Sequence, residues 1–234
     1  MILAILSDIH GNSLALTQVL NCIKENFTVD KYINLGDAIG YYPDTDVIYN
    51  ELSSHNFISL MGNHEAMLLD LLPIPQQYLA IYKLNVIKDN ITNSSLSFIS
   101  SLKPFYQFEM DGLKLLFVHG SPSDPLNGRI YPDTVIDGLL YKDIDFVFMG
   151  HTHRPLFKMV NRTRFVNVGS VGLPRDDGRM ASFCIFDTKK KRADIFRVEL
   201  DINRLQQLYG TFIHNDVKSL YKRQIHHDLV GQIL

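Results

Sequence analysis

Short apolar runs in this chain end, one after another, at aspartate, asparagine and histidine residues. Residues 2–7, 32–35 and 57–61 are such runs, and each has the length and continuous apolar character of a strand buried on both faces. Apolar residues at helical spacing follow the first two runs, and Asn12 stands where it can cap the first of these helices. This order predicts strand–loop–helix units that carry polar residues in the loops at the strand ends.

The second half of the chain has strand patterns without intervening helices. Asp111-Gly112 is a two-residue type I′ turn signal between residues 105–110 and 113–118, which predicts an antiparallel pair. Residues 65–102 have a mostly helical pattern, and helical spacing beyond residue 203 predicts a C-terminal helix or helix pair packed on the outside. The remaining strand patterns predict a β-meander and cover residues 146–149, 156–160, 164–168, 182–186 and 193–198.

Strand–helix units in front and hairpins behind predict an α/β fold, in which two mixed sheets pack face to face with helices outside. The chain has 234 residues, of which 46% are hydrophobic, enough for one globular domain with a buried core. No repeat, low-complexity tract or linker indicates a second domain. We therefore predict a single domain over residues 1–234, with residues from about 203 to 234 as a helical appendage.

The charge balance argues against binding to long nucleic acid. Lys and Arg number 23 against 25 Asp and Glu, so the chain lacks the basic field that carries non-specific binding. The first apolar run is too short for a signal sequence, and no segment has membrane-spanning length. Cys22 and Cys184 lie far apart in apolar patterns, so both are predicted core residues of a reducing compartment. We expect a cytoplasmic protein without membrane association, and no sequence feature indicates an oligomeric state.

Seven polar side chains at the ends of these runs form an ordered set of nitrogen and oxygen donors. In an extended backbone, residues i and i+2 project to the same side, so each pair of such residues can approach one metal. Loops at the carboxyl ends of neighbouring strands also meet in space. With one shared carboxylate, seven such donors can hold two divalent cations close enough to clamp a phosphoryl group. The set is Asp8, His10, Asp37, Asn63, His119, His151 and His153.

The motifs that contain these residues resemble those of the calcineurin-like metallophosphoesterase family. They are Asp-x-His, Gly-Asp-x-x-Gly, Gly-Asn-His-Glu, His-Gly and Gly-His-Thr-His, and they span residues 8–153. Residues 36–41, 120–122 and 169–176 are similar to the small prokaryotic phosphodiesterase-like branch, which extends the likeness to about residue 187. The resemblance implies a four-layer α-β-β-α sandwich of two mixed sheets.

The resemblance also implies which residues hold each cation. The first metal would be held by Asp8, His10 and His153, the second by Asn63, His119 and His151, and Asp37 would bridge them. Mixed nitrogen and oxygen ligation suits Mn, Fe, Zn, Ni or Co better than Ca or Mg, and it leaves the identity of the metal open. The two cations would lower the pKa of a bridging water, which can then attack phosphorus in line.

Four residues near the ligands have predicted roles of their own. His64 is the candidate general acid for the leaving alkoxide, and the alternative is a residue that only orients water. Glu65 either supports the ligands or supplies negative charge at a helix N-terminus. Arg129 and Arg175 are candidates for binding phosphate oxygens, with structural ion pairs as the alternative. Surface or capping roles are expected for the histidines outside the motifs, which are His55, His214, His226 and His227.

Together these features predict a hydrolase: a dinuclear metal-dependent phosphoesterase that acts on a phosphodiester or a small phosphorylated metabolite. Phosphomonoesters and nucleotide pyrophosphates stay open as substrates, because the same cations accept their oxygens. A metal-binding scaffold is a further alternative, since some relatives serve mainly as binding modules. Loss of ligands is the usual sign of such a role, and all seven positions are intact here. Substrate choice is expected to lie in residues 65–104 and 121–142.

Overall fold

The computed structural model describes residues 1–139, 141–224 and 229–234, so His226 and His227 lie outside the described residues. Its strands are β1 (Ile2–Leu6), β2 (Lys31–Asn34), β3 (Ile58–Ser59), β4 (Phe105–Met110), β5 (Leu113–Val118), β6 (Phe146–Met149), β7 (Leu156–Val160), β8 (Thr163–Asn167), β9 (Met180–Asp187), β10 (Arg192–Glu199) and β11 (Gln232–Ile233). Its helices are α1 (Ser13–Asn26), α2 (Thr45–Ser54), α3 (Asn63–Leu68), α4 (Leu79–Tyr82), α5 (Leu84–Asn90), α6 (Asn93–Ser101), α7 (Ile202–Tyr209) and α8 (Asn215–Leu220).

The first sheet has the strand order β11-β10-β9-β1-β2-β3. β1 pairs in parallel with β2, and β2 in parallel with β3, so the carboxyl ends of these three strands meet at one edge. On its other side β1 pairs antiparallel with β9, with Ile5 opposite Cys184. The predicted N-cap of α1 is confirmed, because the Asn12 side chain accepts the N–H of Ala15 at 3.1 Å.

The second sheet has the order β4-β5-β6-β8-β7. β4 and β5 form the predicted antiparallel hairpin, and Asp111 and Gly112 have φ values of 50° and 72°, as a type I′ turn requires. The predicted β-meander is only partly present: β7 pairs antiparallel with β8 and β9 with β10, but the strands do not form one continuous series. β6 pairs in parallel with both β5 and β8, while β9 and β10 belong to the first sheet. β9 is buried along nearly its whole length because it lies inside the first sheet, between β1 and β10.

The two sheets face each other across an apolar layer. Leu3 and Ile5 of β1 pack there with Phe117 and Phe148, whose rings stack at 5.2 Å. The helices lie on the other face of the first sheet, in a second apolar cluster that includes residues of α1, α2, α5, α6, α7 and α8. The predicted fold class, two mixed sheets with helices, is confirmed.

The outer face of the second sheet has a different cover. Leu116, Val147 and Phe165 pack there against Ile130 and partly buried residues of the segment 119–145. In the described part of this segment there are turns and bends but no helix. Loop side chains therefore exclude water from this face, where the family resemblance implied a helical layer.

The C-terminal helices pack on the helical layer of the first sheet. Leu205 and Tyr209 of α7 and Val217 of α8 are buried in that cluster. His214 caps α8, because its Nδ1 accepts the N–H of Asp216 at 3.2 Å. Cys184 is buried, as predicted for a core residue, and Cys22 is half-buried. Within the described ranges, no helix has the length and apolar character to cross a membrane.

Candidate metal centre

Three of the predicted ligands form a first group at the ends of β1 and β6. The Oδ1 atom of Asp8 lies 3.2 Å from Nε2 of His153 and 3.8 Å from Nε2 of His10. The two Nε2 atoms of His10 and His153 are only 3.0 Å apart. All three side chains are buried.

Four others form a second group beside the first. The Nε2 atom of His119 lies 3.3 Å from Oδ2 of Asp37, 3.0 Å from Oδ1 of Asn63 and 3.2 Å from Nδ1 of His151. The same Oδ2 of Asp37 lies 3.9 Å from Nε2 of His10. The structure thus brings all seven predicted residues together, and it places the Asp37 carboxylate between the two groups.

The hydrogen bonds of the histidine rings fix which nitrogen faces the centre. Nδ1 of His10 donates to the carbonyl of Ile39 at 2.9 Å, and Nδ1 of His153 donates to the carbonyl of Leu173 at 2.5 Å. A carbonyl oxygen only accepts, so in both neutral rings the proton is on Nδ1 and a lone pair is on Nε2. Nδ1 of His119 meets the carbonyl of Leu35 at 3.1 Å in the same way.

Two lone pairs that face each other at 3.0 Å repel, unless a positive charge lies between or beside them. A proton is a poor candidate, because burial, followed by the charge of His153, lowers the pKa of His10 well below its usual value. Burial and then the charge of Arg175 also lower the pKa of His153. Buried, unprotonated imidazole nitrogens with their other nitrogen tied to a carbonyl are typical metal ligands, so the first group fits a cation.

The second group also favours a positive charge. Burial alone would lower the pKa of His119, but the charge of Asp37 and its close contact raise it to about 9. Nε2 of His151 is buried and has no hydrogen-bond partner among the described residues. A metal cation would satisfy the same electrostatic preference as the proton, and it could use these donors as ligands.

In each of the two carboxylates, one oxygen accepts a backbone N–H and the other points into the centre. Oδ2 of Asp8 accepts the N–H of His151 at 2.9 Å, and Oδ1 of Asp37 accepts the N–H of His64 at 2.9 Å. Burial raises the pKa of both carboxyls, but His153 beside Asp8 and His119 beside Asp37 outweigh it, and both pKa values lie below their usual range.

The backbone that carries these ligands is strained. Asp8, His10, Asp37, His151 and His153 have φ values of 55°, 55°, 53°, 63° and 58°, in the left-handed region that costs a residue with a side chain roughly 1–2 kcal/mol. The expectation that i and i+2 converge in extended backbone is therefore wrong. Left-handed turns direct the side chains into one cavity, and such strain clusters at functional sites.

Backbone hydrogen bonds hold the first two of these loops together. The N–H of Asp8 donates to the carbonyl of Gly36 at 3.1 Å, and the N–H of His10 donates to that of Asp37 at 3.0 Å. The loops after β1 and β2 therefore act as one unit, which explains how the strain can persist.

Comparison with known proteins identifies the fold and the motifs. Residues 1–191 match the sequence model of the calcineurin-like phosphoesterase superfamily domain. The chain belongs to this superfamily. It is 34% identical over 220 residues to an uncharacterised protein of Methanocaldococcus jannaschii, with 86% of this chain and 89% of that protein covered.

Two solved structures share the fold of this calcineurin-like phosphoesterase. A hypothetical protein of Pyrococcus horikoshii OT3 has a TM-score of 0.80 at 21% identity, covering 99% of both chains. A metallophosphoesterase from Sphaerobacter thermophilus has a TM-score of 0.76 at 24% identity, covering 95% of this chain and 98% of that one. The predicted family resemblance is confirmed, and with it the assignment to a family of phosphoester hydrolases.

His64 lies within reach of the centre of this phosphoesterase. Its Nε2 is 3.9 Å from Oδ2 of Asp37, and its ring packs on those of Tyr41 and Tyr82 at centroid distances of 5.1 and 4.4 Å. Burial lowers the pKa of His64 to about 4, so its resting ring is neutral. Gly40 has a φ of 92°, and a side chain there would collide with the His64 ring.

Glu65 supports the loop that carries Asp37. Its buried carboxylate accepts the N–H groups of Asp37, Ala38 and Gly62 at 2.9, 2.7 and 2.8 Å, and the hydroxyl of Tyr49 at 3.1 Å. Of the two predicted roles, the contacts favour support of the ligands. Sequence reasoning could not assign these partners, because Tyr49 and Asp37 reach Glu65 only through the tertiary fold.

Arg129 and Arg175 both line a cleft of about 520 Å³ that opens beside the centre. Nη2 of Arg175 donates to the hydroxyl of Tyr41 at 3.1 Å, and the Tyr41 ring contacts that of His10 at a centroid distance of 4.7 Å. Burial, His119 and then Arg129 lower the pKa of His151 to about 3. Neither arginine has a carboxylate within 4.0 Å in the described parts of the chain, so the alternative of a structural ion pair finds no support.

Proposed function

We propose that this chain is a dinuclear metal-dependent phosphoesterase that hydrolyses a phosphodiester or a small phosphorylated metabolite. The observation that carries the proposal is the pair of opposed Nε2 atoms on His10 and His153, 3.0 Å apart, with both Nδ1 atoms tied to carbonyls. The position of Asp37 Oδ2, within 3.9 Å of His10 and 3.3 Å of His119, supports two cations that share one carboxylate.

Each residue of the centre would have a defined task. The first cation would be held by Asp8, His10 and His153, the second by Asn63, His119 and His151, with Asp37 between them. The donor set of nitrogen and oxygen atoms favours Mn, Fe, Zn, Ni or Co. When bound, the cations would supply Lewis-acid activation of a water molecule and neutralise charge on the phosphoryl oxygens.

The protein's own groups would bind and orient the phosphoester. Two divalent cations exceed the charge of the two buried carboxylates, Asp8 and Asp37, so the centre would attract an anion. Arg129 and Arg175 line the cleft beside the centre, where their planar guanidinium groups can each donate two hydrogen bonds to phosphoryl oxygens. We therefore propose a small phosphorylated substrate as the binding partner, and neither a membrane nor long nucleic acid. The two free cysteines, Cys22 and Cys184, support the further proposal of a cytoplasmic location.

A rate comparison tests this function. We expect the purified chain, loaded with Mn, Zn, Co or Ni, to hydrolyse bis(para-nitrophenyl) phosphate faster than the corresponding monoester. Removal of metal with EDTA should abolish turnover, and added metal should restore it, because no side chain of the centre can activate water equally well alone. Turnover that persists in verified metal-free protein, or no turnover of diester, monoester or dinucleoside polyphosphate with any of these metals, would contradict the proposal.

His64 is proposed as the group that gives a proton to the leaving oxygen. Its resting ring is neutral, so the proposal requires that the bound anionic substrate raise the pKa of His64 and that the ring take up a proton before the transfer. His64→Asn keeps a polar side chain but removes the acid, so the loss should grow with the basicity of the leaving group. We expect a loss of about 100-fold or more for a diester with an alkoxide leaving group, the range typical of a general acid, and a much smaller loss for a para-nitrophenolate. The measurement is kcat/KM of both diesters for the wild-type chain and the variant.

The exposed His55 offers a matched control, since it lies on the surface at the end of α2. His55→Asn should leave both rates unchanged. Equal losses of the two diesters in His64→Asn would instead assign His64 to the orientation of water or of ligands, the alternative role.

A further inference from the structure

The cleft beside the centre contains more positive charge than one phosphoryl group needs. Four arginines line it, Arg129, Arg154, Arg175 and Arg223, against a single carboxylate, Asp216. Among the described residues, none of the four guanidinium groups lies within 4.0 Å of a carboxylate. Unpaired arginines that converge on one cleft are the usual arrangement for binding an anion.

Two of these arginines, Arg175 and Arg223, are linked by a hydrogen bond. Arg175 contacts Tyr41, whose ring packs on His10 and His64. Arg223 in turn contacts Arg175: its Nη1 donates to the main-chain carbonyl of Arg175 at 2.9 Å. Its other guanidinium N–H groups make no hydrogen bond to the described residues, and the residue is exposed.

Arg154 also lines the cleft, in the loop that follows β6. It directly follows His153, whose side chain is buried, but its own side chain is exposed and makes no hydrogen bond to the described residues. Arg154 and Arg223 are thus exposed arginines that line the same cleft, whereas Arg175 contacts Tyr41 beside the ligand histidines.

The size and the other lining of the cleft indicate an organic ligand. A volume of about 520 Å³ lies within the range of pockets that hold small organic molecules, and a single phosphate would leave most of it empty. Tyr78 and Tyr131, both partly exposed, present aromatic surface between the arginines. Tyr78 stacks on Tyr82 at 5.0 Å, which fixes its orientation.

Part of the lining of the cleft comes from residues outside the region that matches the family model. The family match ends at residue 191, whereas Val217 and Leu220 of α8 line the cleft together with Arg223. The N–H of Gly178 donates to the carbonyl of Arg223 at 3.0 Å, so the end of this segment is fixed against the loop that carries Arg175. The C-terminal segment thus adds a positive, partly apolar wall to the shared phosphoesterase core.

We propose that Arg154 and Arg223 form a second anion subsite, and that the substrate carries a phosphate or carboxylate in addition to the phosphoester that reacts. The organic part between the two anionic groups packs against the tyrosines of the cleft. This inference rests on the proposed function for the identity of the reacting group, while the subsite itself is a matter of binding and needs no catalysis.

Matched substrates test the subsite. The para-nitrophenyl ester of thymidine 5′-phosphate and the same ester with an added 3′-phosphate differ only in the second anion. We expect the added phosphate to raise kcat/KM by about 10- to 100-fold, the effect of one or two hydrogen bonds to charged groups. Arg154→Gln and Arg223→Gln should each remove most of this ratio. Arg204→Gln, on the exposed surface of α7, is the matched control and should leave the ratio unchanged.

Binding to the full chain in EDTA separates this inference from the proposed function. Thymidine 3′,5′-bisphosphate should bind more tightly than thymidine 5′-monophosphate by calorimetry, and Arg223→Gln should remove the difference. An inactive chain that still shows this difference would refute the proposed function and retain the subsite. Hydrolysis of both esters with equal kcat/KM, or a preference that survives both arginine variants, would overturn the subsite. A 3′-carboxymethyl analogue that restores the full effect would assign the site to carboxylates.

Discussion

Asp37→Asn is expected to abolish hydrolysis and to remove at least one of the two metal ions from each chain. The Oδ2 atom of Asp37 lies between the two ligand groups, 3.3 Å from His119 and 3.9 Å from His10. An amide there would lack the negative charge that offsets two adjacent cations. Residues that only support metal ligands already cost 10- to 100-fold in affinity or activity when they are replaced, so we expect a loss of more than about 100-fold. Metal content by mass spectrometry and diester kcat/KM measure it.

The design of this variant keeps the fold. Oδ1 of Asp37 accepts the N–H of His64, and an asparagine oxygen can accept it as well. Thermal unfolding in EDTA should therefore show a folded chain, which separates loss of metal from loss of structure. Asp70→Asn, at an exposed carboxylate paired with Lys88, is the control and should retain metal and activity. An Asp37→Asn chain with full metal content and unchanged kcat/KM would contradict the assignment.

The identity of the candidate ligands could be predicted from the sequence, but the reason for their convergence could not. The order of apolar runs and polar ends reflects the parallel strands β1, β2 and β3, and this pattern is visible in the sequence. The left-handed φ values of Asp8, His10 and His151 cannot be recognised from the sequence. Residues with side chains seldom adopt this conformation, and a local pattern cannot show which long-range hydrogen bonds enforce it.

The sheet arrangement of the second half was beyond sequence reasoning for a similar cause. A hairpin pattern fixes which strands are adjacent in the chain, and it succeeded for β4 and β5. It does not show that β6 runs parallel to both of its neighbours, since this requires crossovers that leave no local signal. The contacts of Glu65 and Arg223 could not be predicted either, because their partners are far away in the sequence.

A buried ion pair links strand β10 to a loop beside the metal centre. Arg197 of β10 is fully buried, and its guanidinium donates to both carboxylate oxygens of Asp176 at 2.5 and 3.0 Å. It also donates to the carbonyl of Met180 at 2.6 Å. Asp176 lies in the loop that supplies the carbonyl of Leu173 to His153 and that carries Arg175. The pair therefore anchors a loop with two contacts to the site.

Asp176→Asn is expected to lower the free energy of unfolding by about 3–5 kcal/mol, the usual cost of leaving one buried charge without its partner. The Arg197 cation would keep only neutral acceptors, in a position that water does not reach. Denaturant unfolding in EDTA measures the loss without the stabilising effect of bound metal. We also expect weaker metal binding, because the displaced loop would no longer hold the His153 ring in place.

The double variant Asp176→Leu with Arg197→Met distinguishes charge burial from simple loss of packing. Replacing a whole buried ion pair by apolar side chains is often neutral or stabilising, so the double variant should recover most of the stability that Asp176→Asn loses. Asp133→Asn, at an exposed loop carboxylate, should change the free energy of unfolding by less than about 0.5 kcal/mol. If Asp176→Asn were as stable as the wild-type chain, Asp176 would not be the charge partner that Arg197 requires.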